Sequence, residues 1–282
     1  TYRFTADNII READKYRILT QIIREIPQEI QSQSLDGDIN SETLQRLLAE
    51  ISKVKNNGMA VQEFRSDTVS QPEFEYLFHA YKQDLNQTRM IDFDDMVLLC
   101  RDLLVSRPEV LKMWQERFRF ILVDEFQDID ALQYRLVRAW TKGCKSLFAI
   151  GDPDQSIYGF RGADAACFDR LAEDIPGLRV VRLTQNYRST PEVLGCALPV
   201  IGHNPGGARS LLPNRGSGAP VRLAQAASSL AEGIFIAKEI NRMVGGMDML
   251  DAGGVTGDER IQPRSFSDIA ILYRTHRQAD IL

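Results

Sequence analysis

The sequence is short of the residues that build metal centres and disulfide scaffolds, with four Cys and three His in 282 positions. Cys100, Cys144, Cys167 and Cys196 stand far apart, and none forms a Cys-x-x-Cys pair. That excludes a zinc ribbon or a disulfide framework as the organising element. The thiols read as reduced, small apolar residues of a cytoplasmic protein. No apolar run approaches the roughly 18 residues that span a bilayer, so no membrane association is expected. The opening Thr1-Tyr2-Arg3-Phe4 has no signal-peptide core and no initiator Met, and reads as a processed chain or a piece of a longer one. Basic charge is also lacking: 34 Lys and Arg against 39 Asp and Glu give a net charge of −5. This counts against wrapping nucleic acid over the whole surface, though not against a local groove. Among the cations Lys is scarce, with 8 Lys beside 26 Arg. Arg suits bidentate phosphate contacts, but GC-rich codon usage gives the same bias more simply.

What is present is globular. Apolar residues make up 44% and charged residues 26%, enough to bury a sizeable core in about two domains. The first 88 residues read as helical. Ile9 to Ile23 follow a loose helical period that Pro27 stops, Ser41 and Glu42 open a second helix that Asn56-Asn57-Gly58 closes, and Pro72 opens a third. After Arg89 the texture changes. Phe118 to Val123 is a short apolar run of the buried parallel-strand kind, followed by a helix from Asp130 to Trp140. Further strands are expected at 147–150, 178–183, 221–223 and 269–273, and a further helix at 230–243. The alternation predicts an α/β parallel sheet behind the helical segment. Residues 245–263 read as a Gly-rich surface loop.

Three stretches carry chemistry. Val123-Asp124-Glu125-Phe126-Gln127-Asp128 leaves the first strand at its carboxyl end, where ligands sit in open α/β sheets. Adjacent acids there suit Mg²⁺ with a phosphate, one carboxylate holding the ion and the next polarising a water. They equally suit a solvated acidic loop or a helix N-cap. Gly151-Asp152-Pro153-Asp154-Gln155-Ser156-Ile157-Tyr158-Gly159-Phe160-Arg161-Gly162-Ala163 leaves the second strand. An amide such as Gln155 can sense a terminal phosphate, and interleaved Tyr158, Phe160 and Arg161 suit bases and backbone. A Gly-rich turn followed by core aromatics is the plainer alternative. In Gln185-Asn186-Tyr187-Arg188-Ser189-Thr190-Pro191, Arg188 can reach a phosphate and Tyr187 can stack on a base. The same residues also fit a helix cap beside a surface Arg.

Taken together, the order and spacing of these stretches resemble the UvrD/Rep/PcrA family of superfamily 1 DNA helicases. Asp124 to Asp128 resembles the family's Walker B motif, Gly151 to Ala163 its motif III, and Asn186 to Thr190 its motif IV. Ile91-Asp92-Phe93-Asp94-Asp95 and Ile269 to Thr275 also look like family stretches. The resemblance implies a RecA-like P-loop NTPase sheet. Residues 1–88 would be a helical accessory domain, 89–184 part of the first motor domain and 185–282 the start of the second. It implies ATP and Mg²⁺ as cofactors, and single-stranded and partly duplex DNA as partners, with 3′→5′ polarity. Asp124 would hold Mg²⁺, Glu125 would activate the hydrolytic water and Gln155 would couple the γ-phosphate to the DNA side. Tyr158, Phe160 and Arg161 would contact DNA, Tyr187 would stack on adenine and Arg188 would touch the γ-phosphate. Phe160 departs from the family's usual Trp and offers a smaller stacking face.

The P-loop pattern G-x-x-x-x-G-K-[ST] is absent, since no Lys here follows a Gly. The chain therefore reads as the middle of a helicase, inactive by itself. The competing reading is a truncated, non-catalytic relative that serves as a DNA-binding or interaction module.

Overall fold

A computed structural model describes residues 4–31, 40–159, 162–164, 166–206, 209–245 and 263–281. Phe160, Arg161 and nearly all of the Gly-rich 245–263 stretch lie outside the described residues. The chain divides into two compact units, Thr1–Arg182 and Leu183–Leu282. No helix among the described residues is long and apolar enough to cross a membrane.

The first unit opens with three helices, α1 (Glu12–Arg24), α2 (Ser41–Asn57) and α3 (Gln71–Thr88). Each boundary has a local cause. The Asn40 side chain accepts the Thr43 N–H at 2.8 Å and so caps α2. Gly58 ends α2 in the left-handed region, at φ 62°. Glu73 accepts the Ser70 N–H at 2.9 Å at the start of α3, with Pro72 in its first turn. Leu19, Leu47, Ile51, Phe74, Leu77 and Tyr81 face one another and are fully or nearly fully buried. The chain start is stitched to the stretch after α3. The Ile10 N–H donates to Ile91 O at 2.9 Å, and the Ile91 N–H donates to Asn8 O at 2.8 Å.

Helix α4 (Phe93–Ser106) begins inside that stretch and leads to α5 (Pro108–Arg117). Asp92 is its N-cap, accepting the Asp95 N–H at 2.8 Å. This N-cap acid and two acids of the first turn, Asp94 and Asp95, meet the C-terminal turn of α2. Lys55 Nζ lies 2.7 Å from Asp92 Oδ2 and 2.9 Å from Asp95 Oδ1, with its side chain only 3% exposed. Asn56 Nδ2 donates to Asp94 at 3.1 Å. Burial opposes the Lys55 charge, but the two carboxylates outweigh it and hold its pKa above the ordinary value. Burial pushes the Asp95 carboxyl up, because one ammonium cannot neutralise both acids. Helix α2 is thereby tied to the helix that leads into the sheet.

The sheet has two strands here, β1 (Phe120–Val123) and β2 (Ser146–Ala149), which pair in parallel with Val123 opposite Ala149. Helix α6 (Ala131–Thr141) makes the crossover, capped by Asp130, and α7 (Cys167–Asp174) follows β2. Phe126, Tyr134, Val137, Cys167 and Leu171 form the core beneath one face. The sequence predicts strands buried on both faces. Among the described residues only one face is covered, and Phe120, Leu122 and Phe148 are exposed on the other.

The second unit has β3 (Gln185–Asn186) parallel to β4 (Leu212–Pro213), with α8 (Pro191–Ile201), α9 (Ser229–Met243) and α10 (His276–Ala279). Three expected strands are not strands here. Residues 178–183, 221–223 and 269–273 have no ladder partner among the described residues. Val180, Val181, Leu183, Leu223 and Leu272 are exposed. An apolar run specifies a preference for burial, but a strand also needs a neighbouring backbone to pair with.

Candidate functional site

The site is built where β1 and β2 end side by side. The Ile150 N–H donates to Val123 O at 2.8 Å, and the Phe126 N–H donates to Ile150 O at 2.9 Å. These two bonds carry the ladder one step past the strands and fix the two exiting loops against each other. Asp124 and Glu125 leave β1 exposed to solvent. The Glu125 N–H donates to Asp124 Oδ1 at 3.0 Å. Glu125 itself is left-handed, at φ 49° and ψ 44°. A non-glycine residue in that region stores strain of the order of 1 kcal/mol or more. The turn persists because the 3₁₀ turn that follows, Phe126–Asp128, is anchored by the fully buried Phe126 ring.

Gln127 is the hub. It is 2% exposed. Its Nε2 donates to Glu125 Oε2 at 2.7 Å and, more weakly, to Asp128 Oδ2 at 3.4 Å. Its Oε1 accepts the Asp152 N–H at 3.0 Å, and its carbonyl accepts Ser156 Oγ at 3.0 Å. The amide orientation is fixed by its neighbours: carboxylates need the donor end and a backbone N–H needs the acceptor end. Gly151 makes room for this contact. A Cβ there would collide with Gln127 Oε1 and lie 2.9 Å from Phe168 Cζ and 3.0 Å from Phe126 N.

The loop after β2 is held from within. Asp152 Oδ1 accepts the Asp154 N–H at 3.1 Å, and Asp152 Oδ2 accepts Gln155 Nε2 at 2.8 Å. Asp152 thus caps the 3₁₀ turn Pro153–Gln155 while holding the Gln155 side chain. Tyr158 follows, partly exposed at 38%. Behind the site Cys167 Sγ donates to Phe126 O at 3.1 Å. Burial pushes its thiol pKa up to about 11, so it is a neutral packing group.

Asp124, Glu125 and Gln155 therefore lie on two adjoining strand-end loops. Phe160 and Arg161 lie outside the described residues. Tyr187 and Arg188 belong to the second unit, where Asn186 Oδ1 accepts the Arg188 N–H at 3.0 Å and the Ser189 N–H at 2.8 Å. This Asx turn between β3 and α8 presents Tyr187 at 70% exposure. Thr190 and Pro191 start α8, so a helix cap and a displayed Tyr-Arg pair occupy the same turn. The sequence gives no individual role to Gln127, Asp152 or Asn186. The available signal was a polar residue beside apolar neighbours at the end of a buried strand.

Two adjacent carboxylates at a strand end are groups that can share a divalent cation with water and phosphate. Mg²⁺ uses one or two carboxylates and takes its remaining ligands from water and phosphate. One exposed strand-end carboxylate, Asp124, fits that donor set. Glu125 lies beside it, its Oε2 accepting from Gln127 Nε2.

Residues 4–176 match the family model of the UvrD/REP helicase N-terminal domain, and residues 181–282 match that of the UvrD-like helicase C-terminal domain. The chain is 32% identical over 248 residues to the ATP-dependent DNA helicase PcrA of Leuconostoc citreum, covering 87% of this chain and 31% of that protein. It is 29% identical over 277 residues to DNA helicase II of Escherichia coli, covering 97% of this chain and 35% of that protein. A probable DNA helicase II homolog of Rickettsia felis is 33% identical over 227 residues, covering 78% of this chain and 35% of that protein. The chain spans about a third of the length of these relatives.

Proposed function

This chain belongs to the UvrD/REP helicase family, and on that premise we propose that it is a segment of an ATP-dependent DNA helicase, with ATP and Mg²⁺ as cofactors and single-stranded and partly duplex DNA as its track. The polarity we assign is 3′→5′, and the site of action the cytoplasm. Residues 1–88 are read as a helical accessory domain, 89–184 as part of a first RecA-like motor domain and 185–282 as the start of a second. The observation that supports the reading is that Asp124 and Glu125 stand on one loop and Gln155 on the adjoining loop, at the carboxyl ends of two paired parallel strands. Ligands bind at that position in open α/β sheets.

In this reading Asp124 would hold Mg²⁺, which when bound would supply charge neutralisation on the phosphates. Glu125 takes the proton of the attacking water as the water oxygen bonds to the γ-phosphorus and the bond to the ADP oxygen breaks. Gln155 leaves Asp152 to meet a γ-phosphate oxygen. Tyr158, Phe160 and Arg161 run on from Gln155 toward DNA, so nucleotide state and DNA grip share one segment. Tyr187 stacks on adenine and Arg188 meets the γ-phosphate. Without a Gly-Lys phosphate cradle, the 282 residues alone leave transition-state charge largely unneutralised and turn over ATP negligibly.

The test is Glu125→Gln in the full-length protein. Hydrolysis falls to a low residual rate while Mg²⁺–ATP binding stays near wild type, because a base acts only in the transition state. Asp124→Ala weakens binding as well. Near-wild-type turnover in Glu125→Gln overturns the assignment.

A further inference from the structure

We propose that Gln127 is a positioning residue that sets the Glu125 carboxylate and makes its placement depend on the loop carrying Gln155. The inference rests on the reading of Glu125 as the base that activates water. Four linked contacts carry it. Gln155 Nε2 donates to Asp152 Oδ2 at 2.8 Å, the Asp152 N–H donates to Gln127 Oε1 at 3.0 Å, and Gln127 Nε2 donates to Glu125 Oε2 at 2.7 Å. The Ser156 hydroxyl adds a second tie, to Gln127 O at 3.0 Å. One side chain therefore bridges the two loops, and it does so at 2% exposure, where water does not substitute for a lost partner.

The chemistry requires an amide. Facing Glu125 and Asp128 the group must donate, and facing the Asp152 N–H it must accept. A carboxylate meets only the second demand and an apolar side chain meets neither. Glu125 also needs the bond more than an ordinary carboxylate does. Its backbone is left-handed and its side chain is exposed, so no packing selects a rotamer. The Gln127 donor is the side-chain contact that fixes Glu125 Oε2. When Gln155 exchanges Asp152 for a phosphate oxygen, the restraint on the Asp152 side chain changes. The Asp152 N–H is bonded to Gln127, so the change is passed to Glu125 across two partly buried hydrogen bonds.

The experiment uses the full-length protein with Gln127→Met, of similar length, and Gln127→Glu, which keeps the acceptor toward Asp152 and removes the donor toward Glu125. Steady-state ATPase is measured beside binding of a non-hydrolysable ATP analogue with Mg²⁺, scored for both Kd and stoichiometry. The expected result is a fall in kcat of roughly 10- to 100-fold in both variants, by the cost of misplacing a catalytic group by about 1 Å. KM, Kd and binding stoichiometry stay near wild type. In the Glu125→Gln background Gln127→Met causes no further loss, because the group it positions is gone. A merely structural Gln127 instead lowers stoichiometry and melting temperature while leaving kcat per bound nucleotide unchanged, and that overturns the proposal. Should Gln127→Met fail to fold, the near-isosteric Gln127→Glu decides by its kcat. The two readings fail differently. Near-wild-type turnover in Glu125→Gln overturns the base assignment. An inactive Glu125→Gln beside a fully active Gln127→Glu overturns only the positioning role.

Discussion

One added methyl group at Gly151 tests how tightly the two strand-end loops are fitted. Its backbone is not left-handed, so Gly151→Ala carries no penalty of conformation and the whole cost is space. The new Cβ would lie 2.9 Å from the Phe168 ring and 3.0 Å from the Phe126 nitrogen, and it would overlap Gln127 Oε1. The first two neighbours are core ring and backbone, so the Gln127 amide must give way. Overpacking of this kind costs about 1–3 kcal/mol. Displacing Gln127 Oε1 also strands the Asp152 N–H, which costs about 1–3 kcal/mol more. The sum is about 2–6 kcal/mol, and at about 2–4 °C per kcal/mol for a unit of this size the melting temperature falls by roughly 4–24 °C. The assay is thermal unfolding followed by circular dichroism, with ATPase of the full-length protein measured well below the transition. Hydrolysis should fall even where the protein remains folded, because Glu125 loses its donor. A melting temperature within about 2 °C of wild type with normal hydrolysis refutes the fit described for Gln127 and Gly151.

The contrast is Gly195→Ala in α8, where nothing lies within 4 Å of the added Cβ; it should stabilise the second unit by up to about 1 kcal/mol in chemical denaturation. Lys55→Met strands Asp92 and Asp95, whose side chains are 6% and 19% exposed, and should destabilise the first unit by about 3–5 kcal/mol at neutral pH. The sign with pH follows from the carboxylates. In the native protein burial works against the charge of Asp92, but Lys55 outweighs it and holds its pKa below the ordinary value, so that stability is present above the ordinary carboxylate range and lost as pH falls through the lowered pKa. In Lys55→Met both acids are buried without a cation, so the deficit should shrink toward acid as they take up protons, which urea titrations at stepped pH will detect. Phe160→Ala in the full-length protein should weaken single-stranded DNA binding about 5- to 150-fold, from a stacking contribution of about 1–3 kcal/mol. A large fall in melting temperature with unchanged DNA affinity would instead identify Phe160 as a core residue.

The sequence by itself determined the elements whose causes are local. Asn40, Gly58, Pro72 and Asp130 punctuate helices through their own side chains and backbone preferences, and these helices are where the pattern puts them. The two apolar runs that become β1 and β2, with acids at their exits, were legible because burial and the end of burial are both written in residue type. The family was legible for the same reason, since its motifs are contiguous. Only the tertiary structure decided which runs pair. Residues 269–273 are as apolar as β1, and 178–183 and 221–223 are mostly apolar, yet without a neighbouring backbone among the described residues they are not strands. Only the tertiary structure brought Lys55 of α2 against Asp92 and Asp95, 37 and 40 positions away. It also gave Gln127 its place between Glu125 and Asp152. A lone amide in sequence has no direction, and it acquires one when folding sets a carboxylate at its donor end and a backbone N–H at its acceptor end.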